Sequence, residues 1–249
     1  MKKIYTTLTA VVLVMAATLG ALAAPAVAAG QDSKKEKLGE ASAARVRVPL
    51  NLAVLIQDDL VSRVGNELKV TGEFIRSLPA GSRVMVGYIR AGSLQVRQGF
   101  TDDLDVASRS LRIPAGTTAV SPFNPYVEVR EALRLFPEGG SNRNALLLIS
   151  DGLDVSRGFD FSSAVNSIDL DRAVREAKRR EVAIYSFYAP SAGLTSYNRR
   201  AVSFGQSALN RISDETGGRA FFQGSSFVTF NAYFERLSRT LNKQYGTAY

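Results

Sequence analysis

The residues of this chain best placed to do chemistry are acids at the ends of apolar runs. Ala53-Val54-Leu55-Ile56-Gln57 runs into Asp58-Asp59, with Leu60, Val61 and Ser62 behind it, and Ala145 to Ile149 runs into Ser150-Asp151-Gly152. An apolar run of this length reads as a buried strand, and open α/β sheets take their ligands in the crevice beyond the carboxyl ends of their strands. Carboxylates and hydroxyls delivered there are what a hard dication needs, Mg²⁺ wanting about six oxygens in octahedral geometry. Each residue also has a plainer use. A strand-end aspartate can accept the amides of the next loop or helix, a serine before a helix can cap it, and Asp-Gly is an ordinary turn. Two aspartates ending two separate strands favour one shared crevice over two unrelated turns.

Composition narrows the chemistry further. The 249 residues include no histidine, no cysteine and no tryptophan. Without histidine, most general-base, triad and zinc mechanisms are gone. Without cysteine there are no thiol nucleophiles, thiolate sites or disulfides. An enzyme would have to work with Asp, Glu, Lys, Tyr or Ser, and no glycine-rich phosphate loop of the Walker type is present. The formal net charge is +8. The clearest basic cluster, Lys178-Arg179-Arg180, reads as the end of a helix, where cations complement the dipole. It lacks the interleaved aromatics of a nucleic-acid surface, so no nucleic-acid partner is expected.

Those acids must be positioned by a fold that starts late. Met1-Lys2-Lys3, the small and apolar Val11 to Ala24, and Ala26-Val27-Ala28-Ala29 make residues 1–29 a signal peptide, cut after Ala28 or Ala29. The cut removes two lysines and no acid, leaving +6. Residues 30–45 are a polar, flexible linker, and 46–245 are the folded domain. No later stretch is long and apolar enough to span a bilayer. The expected product is secreted or periplasmic, without a stable membrane span after cleavage.

Within the domain, strands are expected at Leu52 to Ile56, Arg83 to Arg90, Leu94 to Phe100, Ala145 to Ile149, Val182 to Tyr188 and Ala220 to Phe222. Helices are expected at Val64 to Leu78, Asp102 to Leu111, Val127 to Phe136, around Leu170 to Ala177, at Ser207 to Thr216, and from Phe230 to Leu241. The turn Ala91-Gly92-Ser93 is too short for a parallel return, so it implies an antiparallel hairpin. The alternation elsewhere argues for an α/β fold: a doubly wound, mostly parallel sheet with one antiparallel edge strand and helices on both faces.

This order, with acids after the first strand and Asp-Gly after the fourth, resembles the von Willebrand factor type A (VWA) domains, over roughly Val46 to Tyr245. Within that family the chain resembles the exported VWA-like proteins of soil bacteria, including Acidobacteria. The resemblance implies a Rossmann-like sheet whose carboxyl edge carries a metal-ion-dependent adhesion site, built from an Asp-x-Ser-x-Ser loop, a threonine from a second loop and an aspartate after the fourth strand. Carried over, these are Asp58, Ser62, Thr117 (in Ala115-Gly116-Thr117) and Asp151. Leu60 stands where the first serine belongs, so the site is degenerate: a ligand is lost and apolar bulk added. Asp59, on the opposite face of an extended segment, is not expected to replace it; a loop conformation there, or a water, is the alternative source of the lost oxygen. The implied metal is Mg²⁺, with Mn²⁺ or Ca²⁺ as alternatives. Asp154, Asp160, Asp169 and Asp171 read as solvated loop acids and helix N-terminal charges. Phe123, Pro125 and Tyr126 lie near the ligand edge, suited either to a protein interface or to a small satellite core.

The expected function is an exported, non-catalytic protein-binding or adhesion module using the carboxyl edge of the sheet, with doubtful metal dependence and a protein as its partner. Two other readings compete: a Mg²⁺-dependent phosphoryl-transfer or hydrolytic enzyme on a similar sheet, and a degenerate scaffold domain. The oligomeric state is not written in the sequence.

Overall fold

The structure, a computed structural model, describes residues 46–61, 63–158, 167–222 and 229–246. Residues 1–45, read above as a signal peptide and linker, and Ser62 and Asp160 lie outside the described residues. Six strands, β1 (Leu50–Gln57), β2 (Arg83–Arg90), β3 (Ser93–Thr101), β4 (Arg143–Ser150), β5 (Val182–Tyr188) and β6 (Ala220–Phe221), form one sheet in the order β3-β2-β1-β4-β5-β6. All neighbours are parallel except β2 and β3. The helices are α1 (Val64–Arg76), α2 (Leu104–Arg109), α3 (Pro125–Leu133), α4 (Ile168–Arg179), α5 (Arg199–Glu215) and α6 (Phe230–Gly246).

The central strands are apolar throughout because both of their faces are buried. Alternation along β1 sends Leu52, Val54 and Ile56 into one core with Phe74, Ile75, Phe187 and Phe234. Ala53 and Leu55 enter the other, with Tyr126, Val129, Leu170 and Leu209. Tyr185, Phe187 and Tyr188 are buried strand residues, as their run suggests. The hairpin turns at Ala91 and Gly92, both with positive φ (46° and 79°), the hand a two-residue hairpin needs. β3 is the half-exposed edge strand.

Two helices start earlier than the apolar periodicity shows, and both starts face the carboxyl edge. α3 opens at Pro125, where the Asn124 side chain accepts from Tyr126 N and proline occupies the first turn. α5 opens at Arg199 rather than Ser207 because Asn198 caps the amides of Arg200 and Ala201. Its first turns include Gly205, a poor helix former, which masks the helical pattern. That glycine is required: a Cβ there would lie 1.9 Å from the Asp151 carbonyl oxygen.

Candidate functional site at the carboxyl edge of the sheet

The dipeptide that ends β1 sends its two carboxylates into different surroundings. The chain turns at Asp58, whose amide donates to Ile89 O at 2.9 Å. The Asp58 carboxylate is fully buried. It accepts from Arg112 Nη1 at 2.6 Å, Arg112 Nη2 at 2.9 Å, Ala115 N at 3.0 Å and Arg90 Nη1 at 3.3 Å. Arg112 is itself clamped. Its guanidinium carbon lies 4.0 Å from the centre of the Tyr88 ring. The Tyr88 hydroxyl donates to Arg112 O at 2.6 Å and accepts from Arg112 N at 2.7 Å. A bidentate guanidinium stacked on an aromatic face is a strong, geometrically specific partner for a carboxylate.

Asp59 has no cation. Gln57 Nε2 donates to its Oδ1 at 2.7 Å, while its buried Oδ2 has no hydrogen-bond partner. Burial first, and the charge of Asp151 second, push the Asp59 carboxyl up to about 6, with Ser121 and Gln57 pulling the other way. Asp151 accepts from Leu153 N on Oδ1 and from Thr195 Oγ1 on Oδ2, both at 3.1 Å. Burial raises its pKa too, against the pull of Ser191, Leu153, Gln57 and Thr195. Gln57 joins the two strands by accepting from Ser150 Oγ at 2.5 Å and Asp151 N at 3.3 Å.

A strap closes over this second half. Leu60 bridges antiparallel to Ser191. Val61 N donates to Pro190 O at 3.0 Å, and Ala192 N donates to Asp59 O at 2.8 Å. Leu60, Ser191 and Thr195 are all buried. Leu60 is thus a roof residue, packed into the core of the α1 face.

Of the four residues carried over as metal ligands, the three that are described have separate partners. Asp58 is held by two arginines and Asp151 lies on the Asp59 side. Thr117 is exposed, its hydroxyl accepting from Ala119 N at 3.4 Å to cap a short 3-10 turn. Ser62 is outside the described residues. Asp59 takes the loop alternative rather than the extended one: the chain turns at Asp58-Asp59, and the charge of Asp151 acts on the Asp59 carboxyl. Asp154 is corrected, being buried and accepting from Ser156 N and from the hydroxyls of Ser156 and Ser167. Among the described residues no group of three or more acidic or otherwise metal-ligating side chains converges. The donor set does not fit a dication. Asp58 has its charge met by guanidinium, and the other half offers one free oxygen beneath a closed strap.

Arg112, Arg90, Ser191 and Thr195 escape sequence reasoning. Ser191 and Thr195 follow the end of β5, so strand-end position was a usable signal for them. Arg112 sits 54 residues from its partner, with no local pattern to mark it. Around the centre, Ile113 (65% exposed), Phe123 (69%) and Tyr197 (76%) stand out from the loops. Tyr126 is instead core, its hydroxyl donating to Gly152 O at 2.7 Å.

Two solved structures match over most of the chain. The aerotolerance-related membrane protein of Bacteroides fragilis superposes with a TM-score of 0.51 at 14% identity, covering 79% of this chain and 100% of that one. BatB of Bacteroides thetaiotaomicron does so at 0.50 and 13%, covering 81% and 100%. The fold is that of a von Willebrand factor type A domain. At these identities the likeness is one of fold. The SpRpn10 VWA domain is more distant, with a TM-score of 0.44 at 14% identity over 79% of this chain and 95% of its own. No protein-family model matches the sequence, and no curated protein does. Among the described residues of this VWA fold, no helix is long and apolar enough to cross a membrane.

Proposed function

We propose that this chain is a non-catalytic VWA-fold module that binds a protein partner through the carboxyl edge of its sheet, and that it works secreted or in the periplasm. One observation carries the reading: Ile113 and Phe123 on the connection between α2 and α3, and Tyr197 on the connection after β5, are large, exposed and apolar at one edge. Aromatic and aliphatic anchors around a polar centre are the make-up of a protein interface. The loops are tied back, Val155 N donating to Phe123 O at 2.7 Å and Gly116 N to Asp58 O at 3.1 Å, so the anchors are presented on a fixed frame. Export rests on the sequence of residues 1–29.

The non-catalytic reading is supported by what two of the described edge acids do: Asp58 is held by two arginines and an amide, and Asp151 accepts from an amide and a hydroxyl. The reading does not use a dication, since Asp58 is already neutralised. Photo-crosslinking in the native cell envelope tests it. A benzophenone amino acid at position 123 or 197 should give a discrete protein adduct that the same group at Leu135, exposed elsewhere, does not. Equal adducts at all three positions, or none at the edge, would overturn the reading.

A further inference from the structure

The clamped Arg112 also lines a groove of about 290 Å³ between α1 and the segment from Ser108 to Ile113. Its charged lining is one-sided. Lys69, Arg76, Arg109 and Arg112 contribute to it, and no acid does among the described lining residues. Asp58 is met by Arg112, but Lys69, Arg76 and Arg109 have no ion-pair partner among the described residues. Arg76 is nonetheless oriented, its Nη1 donating to the buried Ser108 hydroxyl. Between the cations lie Leu68, Leu111 and Ile113. Gly65 and Gly72 keep the α1 wall low: a Cβ at Gly72 would come 2.7 Å from Ser108 Oγ, and one at Gly65 3.4 Å from Ile113.

We propose that this groove is the docking site for an acidic, amphipathic segment of the protein partner, its carboxylates facing Lys69, Arg76 and Arg109 and its apolar side chains resting on Leu111 and Ile113. The proposal rests on the protein-binding reading of the edge and adds the partner's chemistry. Charge complementarity selects the occupant, because like-sign cations left unpaired along an apolar floor are suited by a chain carrying both carboxylates and apolar groups. Arg112 joins the groove to the edge. Asp58 and Tyr88 fix its guanidinium, so a carboxylate arriving in the groove meets a cation already held in place. The groove needs no metal for this.

The test uses the full chain without its signal peptide, in EDTA, with a short fluorescein-labelled peptide alternating glutamate and leucine. Anisotropy reads its binding. Phosphatidylglycerol vesicles and a polyglutamate peptide of equal length serve as competitors. Lys69→Glu with Arg109→Glu reverses two exposed groove cations and leaves the Asp58–Arg112 pair intact. Arg83→Glu with Arg134→Glu makes the same change of net charge elsewhere on the surface. The expected result is a loss of affinity of about tenfold or more for the groove pair, against about twofold or less for the control pair. Equal losses in both pairs would reduce the effect to net charge and overturn the proposal. So would a failure of the alternating peptide to bind, or its displacement by polyglutamate or the vesicles in preference to its own unlabelled form. Since the peptide assay needs no natural partner, its failure would leave the crosslinking result at Phe123 and Tyr197 standing on its own.

Discussion

Asp58 and Asp59 are neighbours in sequence with opposite electrostatic fates. Asp58 is buried with two guanidinia and a backbone amide on its oxygens. Asp59 is buried beside a second carboxylate, with one oxygen unpartnered. Burial is common to both and is the larger cause of the rise at Asp59; what separates the two is that guanidinium meets one carboxylate and a second carboxylate stands by the other. The difference teaches how a strand end built from acids can exist without a cation from solution. One acid takes its counter-charge from the chain, and the other holds a proton more tightly than a free carboxyl would.

The largest effect should come from breaking the satisfied half. Arg112→Ala leaves Asp58 buried with only Arg90, at 3.3 Å, and should cost about 3 kcal/mol in urea denaturation. Adding Asp58→Asn should return part of that loss. A single-variant cost below about 1 kcal/mol would mean that Asp58 is not held as described.

Next comes the unsatisfied half. The Asp59 carboxyl sits at about 6 in the fold against 3.8 for a free aspartate. The fold therefore favours its protonated form. Its contribution to stability is complete below about pH 3.8 and is lost as pH rises through about 6. Asp59→Asn should flatten that part of the pH–stability curve and raise stability at pH 7 by about 2 kcal/mol. A curve unchanged in slope between these pH values would show that Asp59 is solvated rather than sealed.

The smallest expected effect is the response to added cations. Millimolar Mg²⁺, Mn²⁺ or Ca²⁺ should shift the melting temperature by about 1 °C or less, because a ligand stabilises only in proportion to its binding to the folded state. A saturable shift abolished by Asp151→Ala would reopen the edge as a metal site and erase the contrast between its halves.

The fold was largely legible because its causes are local. The uniformly apolar run at Arg83 to Arg90 and the alternation after Ser93 separate a central strand from an edge strand without any structure. Asp58 and Asp151 were legible as edge residues for the same reason, since each ends an apolar run. What they touch was not. Arg112 reaches Asp58 from a loop far along the chain, and no periodicity links the two. The turn at Asp58, which depends on the strap at Leu60 and Ser191, is what puts Asp59 in the loop alternative. The early start of α5 was hidden because Gly205 answers to a carbonyl on another element, not to helix propensity.

The strap has a further consequence. It joins the segment after β1 to the segment after β5, and Thr195 ties the latter to Asp151 at the end of β4. On the proposed protein-binding reading, recognition by segments tied in this way is closer to lock-and-key than to folding upon encounter, since little ordering entropy is left to lose. The shape a partner must match is set before the two meet, and selectivity would show in which partners fail to fit rather than in how far the loops adapt.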